Sequence, residues 1–322
     1  METEPPESAS LEPQRKLSAG KRLFLGTIAG DATLALLFLG LKLLAAGNLV
    51  PQDLIGVLTI PSLLLVPVAS GLMAAYLWRT LTPRLGTCAL QSLWMTLIAV
   101  LGAYVCLGEG AVCLVIGSPV IYLGIFAGTA LGRTWFKKDG SNMQLCIVPL
   151  VAMLGGSEMA TRTDQQAVVV DEILIHASPA KVWPHILAFP DIPAKPDYWI
   201  FQIGLPYPMS TTNGGNFVGA DRQCIFSDGI VLKEKIAELV PEKKLTFDIV
   251  EQPTHPEAYG HITLHRGRFE LRDNGDGTTT LIGSSWYTLH VRPLFYFDWW
   301  TRDMTRAVHL RVMEHVRQLS EA

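Results

Sequence analysis

Charge is scarce in the first half of this sequence once its polar tail is passed. Between Leu23 and Leu131 only six residues are acidic or basic: Asp31, Lys42, Asp53, Arg79, Arg84 and Glu109. Across all 322 residues 17% are charged and 49% hydrophobic, too apolar a balance for an ordinary soluble enzyme. A formal net charge of -3, with no Lys/Arg stripe in the second half, excludes nucleic acid as a partner. Phosphate binding needs a basic surface to displace counterions. Cysteine is sparse as well. Cys88, Cys106, Cys113 and Cys146 lie in apolar segments and Cys224 stands alone beyond them, which excludes a disulfide framework and a CxxC metal pattern. There is no GxSxG, P-loop, GxGxxG or HExxH. Nucleophilic, phosphoryl and dinucleotide chemistry are left without a motif, and no cofactor is implied.

What the first half does have is long apolar runs. Leu23 to Ala46, Leu54 to Trp78, Thr87 to Leu107 and Ala111 to Leu131 each reach the roughly 20 residues that a helix needs to cross about 30 Å of hydrocarbon. They predict a four-helix transmembrane domain over residues 23–138, after a cytoplasmic polar tail of residues 1–22, with the first run read as a retained anchor. Arg15, Lys16, Lys21 and Arg22 precede the first run, Arg79 and Arg84 join the second to the third, and Arg133, Lys137 and Lys138 follow the fourth. The positive-inside rule then puts the N-terminus and the Arg84 loop in the cytoplasm, and the loops holding Asp53 and Glu109 outside. The chain reads as a multi-pass protein of a plasma or inner membrane. Residues 139–166 hold a short apolar segment and a linker. Met143 to Gly156, interrupted by Pro149, has a length that fits either a fifth crossing or a re-entrant segment. Gly26 and Gly30, then Gly124, Gly128 and Gly132, recur at every fourth position. Such faces pack helices closely within one bundle or between copies as a homo-oligomer. Asp31 is the acid placed well inside a span, with Thr27 one turn away.

The second half, residues 167–322, is written for water. A β-branched run from Val168 to His176 predicts a strand, and Ser178 followed by Pro179 opens a short helix. From Phe189 to Tyr207 prolines and aromatics crowd the chain and predict irregular or briefly helical structure. Strands are expected at Gly219 to Phe226, Ile230 to Val240, Lys244 to Glu251, Thr263 to Asp273 and Thr278 to Val291. Turns at Asp228-Gly229, Pro241-Glu242 and Asn274 to Gly277 make the sheet antiparallel. A helix over Phe295 to Leu319 carries Trp300, Met304, Val308 and Val312 at steps of three and four residues.

This order resembles the helix-grip fold of the START-like (SRPBCC) superfamily, and is similar to the polyketide cyclase/dehydrase and lipid-transport family. The residues that carry the likeness are Val170 to Trp183 (VDEILIHASPAKVW), Gly267 to Leu271 (GRFEL) with Ser285 to Tyr287 (SWY), and His309 to His315 (HLRVMEH). The resemblance covers the soluble half only. It implies an α+β domain in which a long helix lies across a curved sheet, around an apolar cavity that holds a lipid or other hydrophobic small molecule.

Strand alternation then suggests the lining. His265 shares a face with Phe269 and Leu271, Phe247 lies between Leu245 and Ile249, and Glu234 lies with Leu232 and Ile236. Phe247, His265 and Phe269, with Trp199, Trp286, Tyr287, Met304 and Val308, form the expected ligand wall. Glu234 and His265 are its candidate catalytic pair or a polar anchor for a head group; the other reading leaves Glu234 exposed on an open sheet margin and His265 capping the strand end. Gly267 and Gly283 are expected to leave gaps in the packing. His255, His261 and His265 match no zinc spacing, so no metal is expected. His309 and His315 read as surface or packing residues. Three functions remain open: a membrane-anchored binder of a lipid or hydrophobic molecule, a cyclase or dehydratase, and a regulatory membrane protein whose soluble domain binds another protein.

Overall fold

The computed structural model describes residues 18–46, 52–136, 166–253, 262–291 and 294–322. The chain divides into two compact units, one of residues 1–52, 64–99 and 121–152, the other of residues 53–63, 100–120 and 153–322. Met143 to Gly156, His255 and His261 lie outside the described residues.

The apolar runs form helices α1 (Ala19–Ala46), α2 (Gln52–Trp78), α3 (Leu85–Gly102, continued by a π-helical turn Ala103–Leu107) and α4 (Ala111–Trp135). Among the described residues three stretches are long and apolar enough to cross a membrane, Ala19–Gly40, Leu85–Cys106 and Ala111–Trp135, while the expected run from Leu54 to Trp78 gives the shorter apolar stretch Leu65–Trp78. In the first unit these helices meet where side chains are small. A Cβ on Gly71 or Gly128 would strike the backbone of the facing helix, at Ile125 and Val68 respectively, and one on Gly26 would strike the Trp78 ring. Glycine here lets backbones approach and lets side-chain donors reach carbonyls across the gap. Ser70 donates to the Gly30 carbonyl at 2.9 Å and Trp78 Nε1 to the Leu23 carbonyl at 3.1 Å. Thr27 donates to Gln91 at 2.9 Å, and Ser92 and Thr129 lie 3.1 Å apart. Thr27 is therefore engaged with α3, and both carboxylate oxygens of Asp31 are buried without a hydrogen-bond partner among the described residues.

The second unit holds a curled seven-stranded antiparallel sheet in the order β1-β7-β6-β5-β4-β3-β2. Its strands are β1 (Gln166–Ile175), β2 (Pro208–Asn213), β3 (Asp221–Phe226), β4 (Val231–Val240), β5 (Lys244–Glu251), β6 (Ile262–Asp273) and β7 (Thr279–Leu289). Helices α5 (Pro179–Leu187) and α6 (Trp199–Gln202) follow β1, and α7 (Leu294–Glu321) closes the chain. The β3–β4 and β6–β7 connections carry Gly229, Gly275 and Gly277 at positive φ, which is why Asp-Gly and Asn-Gly pairs stand there. β2 was not expected from the sequence. It is a short edge strand with a bulge between Pro208 and Ser210, and its proline and serine content hides it.

α7 lies along β1. Arg302 Nη1 donates to the Val168 carbonyl at 3.1 Å and the His176 amide donates to Glu321 Oε1 at 2.7 Å. Helix from 302 to 321 rises about 28 Å and strand from 168 to 176 about 26 Å, so the two run side by side in the same direction. Between helix and sheet sit two apolar clusters. One gathers Ile175, Phe247, Phe269, Leu281, Val312, Met313 and Val316 with α5. The other gathers Val169, Ile200, Tyr287, Leu289 and Phe297, with Trp300 and Met304 packed on it. A sheet with one long helix across its concave face fits a helix-grip fold.

Candidate functional site

The residues expected to line one cavity are distributed over both clusters and both faces of the sheet. Phe247 and Phe269 lie in the first cluster, their ring centroids 6.2 Å apart. Tyr287 is fully buried in the second and donates to Asp298 at 2.7 Å, with Met304 beside it. Val308 is half-buried on α7 and Trp199 is exposed, edge-on to Trp300 at 6.3 Å. Trp286 is next to Tyr287 in sequence but not in space. Adjacent strand residues point to opposite faces, and Trp286 lies on the outer one, under the Arg268 guanidinium at 4.9 Å.

The face assigned to His265 by alternation is overturned by a bulge. The β6–β7 register slips between Leu264 and Arg266, so the extra residue inverts the pattern on one side of it. Leu264 packs inward on Tyr287, while His265 Nε2 pairs at 2.8 Å with Thr288, the outward neighbour of Tyr287. Glu234 does lie with Leu232 and Ile236 on the buried face, but its partner is Arg222. The two are 3% and 2% exposed and form an ion pair, with Arg222 also donating to the Leu187 carbonyl at 3.2 Å and lying over the Phe247 ring at 4.6 Å. Burial pushes the Glu234 carboxyl up, and Arg222 pulls against that shift. Glu234 and His265 are thus not brought together. Cys224, deep beside the pair, is pushed up to about 12 by burial and then by the Glu234 charge, and is an inert thiol.

The gaps expected at Gly267 and Gly283 are covered. A Cβ on Gly267 would run into the far edge of the Phe247 ring, and one on Gly283 would come 2.9 Å from Met313 Sδ. Gly267 pairs with Ser285 across β6 and β7, Gly283 precedes Ser285 by two, and Phe269 pairs with Gly283. The inner face of the sheet therefore has a bare strip at Gly267 and Gly283, with Ser285 at its margin. The ends of two movable side chains cover it.

At that margin, between the two apolar clusters, a polar line crosses from sheet to helix. His309 Nδ1 lies 2.8 Å from Asp171 Oδ2 and His309 Nε2 lies 2.7 Å from Ser285 Oγ. The side chains of His309 and Asp171 are 7% and 9% exposed, and Arg306 reaches the other carboxylate oxygen at 3.6 Å. Burial holds the His309 imidazole below its ordinary range, against the pull of Asp171. A carboxylate only accepts, so Nδ1 carries the hydrogen. A neutral ring then leaves Nε2 as an acceptor for the Ser285 hydroxyl.

Sequence reading missed this line, although two signals were present. Val169, Asp171, Ile173 and Ile175 alternate on the buried face of β1, so Asp171 is an acid at an apolar position. His309 stands three and four residues before Val312 and Met313, on the core face of α7. Ser285 carries no such mark.

No protein-family profile and no curated protein matches the chain. Solved structures similar to it include an uncharacterized protein from Bacillus thuringiensis, at 18% identity and a TM-score of 0.35, over 48% of this chain and 100% of that one. The protein XoxI from Bacillus cereus gives 20% and 0.34, over 47% and 94%. Norcoclaurine synthase from Thalictrum flavum, in complex with dopamine and hydroxybenzaldehyde, gives 14% and 0.33, over 48% and 86%.

Proposed function

We propose that the sheet-bearing unit binds a hydrophobic small molecule or lipid between its sheet and α7, in a chain anchored in a membrane by its N-terminal helices. The observation that carries this reading is the bare strip at Gly267 and Gly283, whose nearest cover is the Phe247 ring and the Met313 thioether. A methionine has three flexible torsions and repacks around varied apolar shapes. Moving these two side chains exposes apolar wall from Phe269, Leu281 and Val312, which is how a concave apolar site with few polar groups is built. The cyclase or dehydratase alternative rests on Glu234 and His265, which face different partners on different sides of the sheet.

The test is native mass spectrometry of the full-length protein released from nanodiscs, with titration of a fluorescent long-chain acyl probe. Bound apolar molecules and saturable uptake are expected. Phe247→Trp and Gly267→Ala, which fill or crowd the strip, should weaken uptake several-fold. A folded chain that takes up no probe and carries no co-purified molecule removes the binding reading and favours a protein-interaction role.

A further inference from the structure

We infer that Ser285, His309 and Asp171 form a nucleophile–base–orienter set that cleaves an ester bond in an apolar acyl compound held against the bare strip. The inference rests on the binding reading above and gives that site a reaction. Three features of geometry support it. The two hydrogen bonds, 2.7 Å from Ser285 Oγ to His309 Nε2 and 2.8 Å from Nδ1 to Asp171 Oδ2, have the order and lengths that activate a hydroxyl nucleophile. The three residues come from three elements, β7, α7 and β1, and the carboxylate fixes both the tautomer and the tilt of the ring. Ser285 is partly exposed while His309 is buried, so the hydroxyl is the reachable end of the line. On the sheet, Ser285 borders Gly283 and Gly267, whose covering atoms are the ends of Met313 and Phe247. An acyl chain that displaces those ends brings its carbonyl carbon beside Oγ.

In the reaction, Ser285 Oγ forms a bond to the carbonyl carbon as its proton passes to His309 Nε2. The carbon–oxygen bond to the alcohol breaks, and that proton leaves on the alcohol. Water then gives a proton to Nε2 and its oxygen to the acyl carbon, the bond to Oγ breaks, and Ser285 recovers its proton. Water is the co-reactant, and the products are a carboxylic acid and an alcohol. Ser285 and His309 are the catalytic residues, and Asp171 is a positioning residue. Among the described residues, the charged groups facing the ring are Asp171 from β1 and, through it, Arg306 from α7.

The probe is an alkyl fluorophosphonate, applied to the full-length protein in nanodiscs. Oγ bonds to phosphorus, fluoride leaves, and the hydroxyl proton goes to Nε2. The expected result is a single adduct on the peptide containing Ser285, absent in Ser285→Ala. Its rate should fall about 100-fold or more in His309→Gln, consistent with the loss of a general base. Asp171→Asn should slow it and shift the pH at which the rate rises, while Asp171→Glu recovers part of the rate. A p-nitrophenyl ester of a long-chain fatty acid should give a burst of one p-nitrophenol per chain. Absence of the Ser285 adduct, or an adduct formed equally fast in a folded His309→Gln protein, overturns the inference. Uptake of the fluorescent acyl probe, measured in parallel, separates the two readings. Retained uptake without adduct leaves the binder and removes the reaction, whereas lost uptake removes both.

Discussion

Arg222 and Glu234 show what a single buried residue demands of its neighbours. Both are desolvated, and Arg222 answers with the Glu234 carboxylate, the Leu187 carbonyl and the Phe247 ring face. Removing one partner strands the other, so Glu234→Gln should destabilise the unit by about 3–5 kcal/mol, whereas replacing both residues by apolar ones of similar volume should cost far less. Urea unfolding of the full-length protein, followed by tryptophan fluorescence, measures both. His309 makes the second demand. Burial lowers its folded pKa below the unfolded value of 6.5, so below that pH the unfolded chain binds more protons than the folded one. The stability contribution is complete above pH 6.5 and is lost as pH falls toward the folded pKa. His185 and His315 are lowered by burial too and slope the same way. Unfolding measured across pH 7 to 5 should therefore show a gentler decline in His309→Gln than in the native sequence.

At the scale of the element, α7 is one side of the proposed site and also packs into its core. Val312, Met313 and Val316 are buried in the first cluster, and His309 on the same face holds β1 and β7 through Asp171 and Ser285. Met313→Ala removes the atoms that cover Gly283. It should cost about 2–5 kcal/mol by cavity formation, yet improve uptake of a bulkier apolar probe, because the space vacated adjoins the strip. Lower stability without any gain in uptake would show that the strip stays closed. Most strands were legible as elements. β5 is Lys244–Glu251, as its alternation predicts, and β6 and β7 differ by a residue or two at their ends. What alternation lacked was the bulge at His265. A bulge arises from pairing with a partner strand, so nothing local to β6 announces it.

For the whole molecule, the decisive division is between long apolar helices and a sheet-bearing unit. The glycine faces of the helical unit are occupied within it, Gly71 against Gly128 and Gly26 against Trp78, and the spacing of four already suggested a close-packed bundle. The sorting of Arg79, Arg84 and Arg133 against Asp53 and Glu109 predicts that a cysteine introduced beside Arg84 is labelled only from the cytoplasmic face of sealed vesicles. Labelling from the outer face would reverse the topology. The same assay at Asp164 reports which side the sheet-bearing unit occupies.

The amino-acid order alone marked out the apolar helices, the antiparallel sheet, the closing helix and the face that Glu234 shares with Leu232 and Ile236. Each follows from a local rule: run length against bilayer thickness, alternation against the pleat, or glycine against positive φ. The tertiary structure decided which faces met. Ser285 and His309 are 24 residues apart and His309 and Asp171 are 138 apart. Their hydrogen bonds exist only because α7 returns along β1 and β7. The same packing gave Glu234 to Arg222 and turned His265 outward, since a side chain's partner is set by register and docking across the sheet, which local periodicity does not encode.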